Sequence, residues 1–191
     1  MGVNYLTDPM VFLIDTIFSL HILAVMLRFL LQWIRADFYN PVSQFLVKIT
    51  HPPLRLMRRF IPAIGRVDSS SLLLALLLQM AANFAILAVK GLTIGFVALA
   101  LLSFADLLKM LLDIFVYAIL ASALLSWLAP GNYSTVSSIL YSLTEPILSV
   151  CRRVVPDMGG IDLSPLAALV LLQLAKMMIL PPFQQLVGFL S

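Results

Sequence analysis

Four long runs of apolar residues dominate the chain: Val11–Trp33, Leu72–Val89, Leu107–Leu128 and Ile161–Leu180. Each is close to the roughly 20 residues a helix needs to cross a hydrocarbon core of about 30 Å. Stretches such as "LLLALLLQM" do not alternate apolar and polar positions, which argues against a β-barrel. Helices satisfy their own backbone polar groups in lipid, so the spans are helical. Shorter segments between the runs mix apolar stripes at helical spacing with basic residues. They predict amphipathic helices that lie in the membrane interface. A fifth apolar run, Leu92–Phe104, is 13 residues long and is weakened as a helix by Gly91 and Gly95. The pattern as a whole predicts an all-α polytopic membrane protein with four transmembrane helices. Residues 92–104 are expected as a short apolar linker, interfacial or re-entrant.

Shifting the chain by 94 residues, without a gap, aligns it on itself. Trp33 meets Trp127, Thr50 meets Thr144, and Pro52 meets Pro146. Arg58–Arg59 meet Arg152–Arg153, Pro62 meets Pro156, Gly65 meets Gly159, Asp68 meets Asp162, and Gln79 meets Gln173. Apolar composition alone would match Leu and Val, but not Trp, Arg-Arg, Pro, Gly and Asp in one register. The chain therefore reads as two tandem helix–amphipathic loop–helix repeats. The first covers residues 1–91, with spans at about 11–33 and 72–89; the second covers 105–191, with spans at about 107–128 and 161–180.

Local signals place the loop elements. Asn40 caps a short helix with Pro41 at its first position, where a missing N–H costs nothing. Val42, Phe45, Leu46 and Ile49 then share a face, and a second short helix runs from Pro53 to about Phe60. In the second repeat Ser134 or Thr135 caps, Val136, Ile139, Leu140 and Leu143 form the matching stripe, and Glu145–Pro146 restarts the chain. Pro62 and Gly65, and likewise Pro156 and Gly159, form the turn that follows. Asp68 or Ser69–Ser71, and Asp162 or Ser164, are the candidates to cap the helix that follows.

Composition agrees: of 191 residues 62% are hydrophobic and 11% charged, outside the balance of a soluble domain. The net charge of +3 is concentrated in the first loop, where Arg35, Lys48, Arg55, Arg58, Arg59 and Arg66 face Asp37. Positive loops stay cytoplasmic. If 92–104 does not cross, both loops are cytoplasmic and both termini periplasmic. If it crosses, the repeats are inverted and Arg152–Arg153 lie outside; the charge rule favours four spans. The expected partners are the bilayer with its anionic head groups, and other membrane proteins or a second copy, rather than nucleic acid.

Two sets of polar residues are candidates for function. Arg58, Arg59, Arg152 and Arg153 either bind phosphate with their planar guanidinium forks or anchor the loops at head-group level. Asp15, Gln79, Asn83, Asp113, Gln173 and Lys176 lie inside the spans, where each charge costs about 2.5–3.5 kcal/mol and calls for a reason. They either hold the helices together or line a polar pathway. Asp106, Lys109, Asp113 and Tyr117 form a stripe on the third span. Helical rise puts Asp113 about 12 Å and Lys176 about 9 Å from the outer surface, so a pair between them is expected.

Catalytic signals are missing from the sequence. Cys151 is a lone cysteine, His21 and His51 are the two histidines, and no phosphate loop or metal-ligand cluster is present. His21 on an apolar helix without a partner is weak ground for haem. No enzyme activity, cofactor or metal is expected. The N-terminus lacks a basic signal-peptide region, and Leu6 breaks a myristoylation motif after Gly2, so the first run is expected to remain as a helix.

The stretch "LLQWIRADFYNPVSQFLVKITHPPLRLMRRFIPAIGRVDSSSLLL" and its weaker copy "SWLAPGNYSTVSSILYSLTEPILSVCRRVVPDMGGIDLSPLAALVL" resemble the two tandem repeats of the YggT/YlmG family. The first copy departs at Arg66 and Ser71, the second at Ser134–Thr135. The resemblance implies a small integral protein of the bacterial inner membrane or of plastids, without a known enzymatic activity. It links the chain to osmotic-stress tolerance and potassium uptake, to division and nucleoid organisation, and to assembly of a thylakoid cytochrome. An assembly, scaffold or accessory factor fits these links, with an oligomeric ion channel or transporter component as the alternative.

Overall fold

A computed structural model describes residues 4–35, 40–61, 68–128, 134–154 and 162–190. The described residues form six helices: α1 (Asn4–Trp33), α2 (Pro41–Phe60), α3 (Ser69–Val89), α4 (Phe96–Leu128), α5 (Thr135–Val154) and α6 (Ser164–Leu190). Four of them carry segments long and apolar enough to cross a bilayer: Leu6–Trp33, Ser69–Val89, Phe96–Ser126 and Ser164–Leu190. Four crossings put α2 and α5 on one side, so the two repeats run parallel. The spans pack in the order α1, α3, α4, α6, and each interfacial helix lies against the spans of its own repeat.

The core runs through both layers. Ile22, Val25, Met26 and Leu30 of α1 pack with Leu74 and Ala75 of α3, Leu107, Ile114 and Ala118 of α4, Leu54 of α2 and Leu143 of α5. A second cluster joins Ile119, Leu148, Cys151, Ala168 and Leu172 across α4, α5 and α6. Leu54 and Leu148 hold equivalent positions in α2 and α5, the elbow helices that join the spans of each repeat, and both are buried.

Two boundaries of the spans differ most from the sequence reading. Residues 96–104, expected in a linker, are the first turns of α4. Their cover comes from the far end of the chain: Phe104 packs on Phe183 with ring centroids 5.6 Å apart, and Gly95 lies against the backbone of Leu190. The same contact explains why α6 runs on through Pro181–Pro182, past the expected end at 180. Gly91 acts as a stop for α3. At φ +67 it lets Gly91 N–H donate to Ala88 O and Leu92 N–H to Leu87 O, the paired bonds of a Schellman cap.

The elbow helices are also longer than expected. α2 passes through Pro52–Pro53 and α5 through Pro146 without a break. Proline removes a helix bond and frees the carbonyl four residues earlier. In α2 those carbonyls belong to Lys48 and Ile49, both on the exposed side, where water and head groups can satisfy them. The flanking Thr50 and Leu54 are fully buried and hold the register.

Candidate functional site

Each elbow is built on a capped amphipathic helix. Asn40 Oδ1 accepts from Ser43 N–H at 2.7 Å at the start of α2, and Ser134 Oγ accepts from Ser137 N–H at 3.1 Å at the start of α5. α2 then shows three faces. Ser43, Leu46, Thr50 and Leu54 turn into the bundle; Val42, Phe45, Ile49 and Leu56 form an exposed apolar stripe; and Gln44, Lys48, His51, Arg55 and Arg59 form an exposed polar one. Leu46 thus leaves the stripe it was expected to share with Val42, Phe45 and Ile49. α5 repeats the buried face with Leu143, Thr144, Leu148 and Cys151.

The repeated Arg-Arg pair divides its labour. Arg58 donates to Asp68 Oδ2 at 2.5 Å, and Arg152 Nε donates to Asp162 Oδ2 at 3.2 Å. The aspartates also cap: Asp68 accepts from Ser71 Oγ at 2.9 Å and Asp162 from Ser164 N–H at 2.8 Å. So the first arginine of each pair clamps its elbow helix to the next span. The second, Arg59 or Arg153, is exposed and has no ion-pair partner among the described residues. Arg152 is further held by both carboxylate oxygens of Glu145 at 3.0 Å.

Burial pushes the Asp68 carboxyl up, but its bonds to Arg58 and Ser71 outweigh this and hold it below its ordinary value. For Asp162 burial again pushes up, and the bonds from Ser164 and Arg152 bring it down. Pro62, Gly65, Pro156 and Gly159, the expected turn residues, lie outside the described residues.

Arg28 is a link that sequence reasoning missed. It donates to Thr50 Oγ1 at 2.8 Å and to Val47 O at 3.4 Å, joining α1 to the buried face of α2. Thr50 in turn donates to Leu46 O at 2.7 Å. The signal was present in the matched Thr50 and Thr144, hydroxyls kept at one position in both repeats.

A polar crevice of about 440 Å³ opens between α1, α3 and α4. It is lined by Asp15, Ser19, Gln79, Asn83, Asp106, Lys109, Asp113 and Tyr117 together with apolar side chains. Asn83 is its hub: Nδ2 donates to Asp106 Oδ2 at 2.9 Å and to Ser103 Oγ at 3.2 Å, and Gln79 Nε2 donates to Asn83 Oδ1 at 3.4 Å. Lys176 reaches from α6 to form the expected ion pair with Asp113, partly buried. Gln173 is exposed on α6 and does not line the crevice, although its repeat equivalent Gln79 is buried within it. Ser103 was not foreseen, although a serine amid apolar residues was a signal that could have found it.

Two segments, residues 7–89 and 101–183, match the CCB3/YggT family model. They begin and end 94 residues apart, the offset of the internal repeat. The protein PA0392 of Pseudomonas aeruginosa is 38% identical over 185 residues, covering 96% of this chain and 94% of its own. YggT of Escherichia coli K12 is 37% identical over 171 residues, covering 89% and 88%. A Vibrio alginolyticus protein is 38% identical over 174 residues, covering 88% and 92%. No solved structure gives a significant match. With both repeats matched across most of its length, the chain is a member of the CCB3/YggT family of multi-pass membrane proteins.

Proposed function

We propose that the chain is a non-enzymatic accessory or scaffold factor of the bacterial inner membrane, with both elbows on the cytoplasmic face and both termini periplasmic. The observation that carries this is the pair of amphipathic helices on one side, each clamped to its span through Arg58 or Arg152 while Arg59 or Arg153 stays exposed. A clamped helix presents its free cations at a fixed height and angle, which suits anionic head groups and acidic surfaces of partner proteins. The wealth of Arg, Lys and exposed apolar side chains along α2 makes it the stronger contact. Replacing Arg59 and Arg153 together by Gln tests the reading. Crosslinking of native membranes is expected to lose partner bands while the folded protein persists at its usual level. An unchanged crosslinking profile would sink it.

The crevice favours a second reading, an ion-pathway component active in potassium uptake and osmotic-stress tolerance. The family resemblance supports it, and the crevice supplies polar oxygens from Asn83, Asp15 and Asp113 inside the span region. Purified protein in liposomes would then carry a potassium flux that Asp113→Asn alters. Flux at the level of empty liposomes under any gradient removes this reading.

A further inference from the structure

The polar crevice lies at a depth that lipid does not tolerate. α3, 21 residues long, spans about 31 Å, and Gln79 and Asn83 stand about 15 and 21 Å from its elbow end. Asp106 is level with them through its bond to Asn83, and Asp113 is neutralised by Lys176. That leaves two exposed charged groups of the crevice, Asp15 and Lys109, without an ion pair among the described residues. Asp15 accepts a long bond from Ser19 Oγ at 3.4 Å, and Lys109, whose charge is felt by Asp106, forms no ion pair or hydrogen bond among the described residues. A charge held against hydrocarbon is costly, so intramembrane charges face other protein or a water-filled cavity.

Asp15 and Lys109 occupy the same position in the two repeats. Each stands 18 residues before the tryptophan of its repeat, Trp33 or Trp127. Because the repeats run parallel, the two charges lie at one level, and both line one crevice. A twofold axis along the membrane normal preserves depth, and an isologous contact brings residue i against j and j against i. Opposite charges at equal depth on one face are therefore complementary to themselves. The rim adds apolar contact surface, since Phe12, one turn before Asp15, and Leu20, which lines the crevice, are exposed on α1.

We infer that this crevice is the contact surface for a second copy of the chain. The dimer is parallel and twofold, and it pairs Asp15 of each copy with Lys109 of the other. Association closes the crevice into an internal polar chamber bounded by two sets of Asn83, Asp106 and Asp113. The inference stands apart from both proposed functions, because dimerisation is read without reference to partners or flux.

The test is charge reversal read by energy transfer between labelled full-length chains in phosphatidylethanolamine–phosphatidylglycerol vesicles. Asp15→Lys alone places Lys opposite Lys at both contacts, and Lys109→Asp alone places Asp opposite Asp. Each is expected to weaken self-association by about tenfold or more. Mixing the two variants restores opposite charges at both contacts, so heterodimers return to the wild-type level. A pairing inside one chain would gain nothing from mixing. A second measurement covers reversals that fail to fold. Asp15→Cys and Lys109→Cys are placed on separate chains, both with Cys151→Ala, and are expected to form a disulfide-linked dimer only when mixed. Wild-type chains that stay monomeric at every protein-to-lipid ratio overturn the inference. So do variants that associate no better mixed than alone, or a crosslink from position 15 to a different protein in native membranes.

Discussion

Arg58 and Asp68 are ten residues apart in sequence and 2.5 Å apart in space, and the same carboxylate caps α3 through Ser71. One side chain thus ends the elbow and begins the span. The second repeat keeps the arrangement in a more open form: the Asp68 side chain is 1% exposed and the Asp162 side chain 41%. Asp68→Asn is therefore expected to cost about 2 kcal/mol, because it leaves a buried network short of an acceptor. Asp162→Asn is expected to cost under about 1 kcal/mol, as for other solvent-screened pairs. Thermal unfolding in detergent measures both.

The depressed acidity of Asp68 sets the sign of a pH effect. A carboxyl held below its unfolded value contributes stability that is fully present above that value and is lost as pH falls through the lower, folded one. The ordinary value is 3.8, so the Asp68 contribution is intact at pH 5 and above and disappears in the acid range below 3.8. Acid unfolding curves of the wild type and Asp68→Asn are expected to differ at neutral pH and to converge at strongly acid pH. Curves that run parallel throughout would remove the clamp from the account.

Thr50 and Thr144 are both fully buried, yet only Thr50 accepts a bond from an arginine. Thr50→Val would leave the Arg28 guanidinium with the weaker Val47 contact alone, at a cost of about 2 kcal/mol. Thr144→Val removes a hydroxyl bonded to its own helix backbone and is expected to cost less than about 1 kcal/mol. The comparison of the two variants by the same unfolding assay isolates the Arg28 link.

Lys176 and Asp113 are best tested together. Removing one partner strands the other charge inside the membrane and is expected to cost about 3 kcal/mol. The double variant Asp113→Leu with Lys176→Met strands nothing and is expected to regain most of that loss. If the pair merely joins α4 to α6, the double variant behaves like the wild type in every functional assay. If the crevice conducts, it folds normally and still loses flux.

The four spans, the duplication and the family were legible in the sequence because each rests on a local or periodic pattern. The Asp113–Lys176 pair was legible too, since depth along a helix follows from counting residues. What escaped was fixed by tertiary cover. No local signal in Leu92–Phe104 announces that Phe183 will pack over Phe104, so a glycine-flanked apolar run read as a linker. The prolines at 52, 53 and 146 read as breaks because propensity counts the lost bond, whereas buried Thr50 and Leu54 keep the helix in register. Gln173 was placed in the polar set as a polar residue inside the last span, on the face of Lys176. Its face of α6 has no counterpart of α4 to cover it, and that asymmetry arises from four spans packed in an open order.

The two arginine clamps also dictate how the protein would register its surroundings. The Arg58–Asp68 bond couples the lean of α2 to that of α3, and the more exposed Arg152–Asp162 pair couples α5 to α6 more loosely. A bilayer that thins forces a span of fixed hydrophobic length to tilt. A tilting α3 would then draw α2 with it, so membrane thickness would bear on the slope of a cationic rod that carries Lys48, Arg55, Arg58 and Arg59.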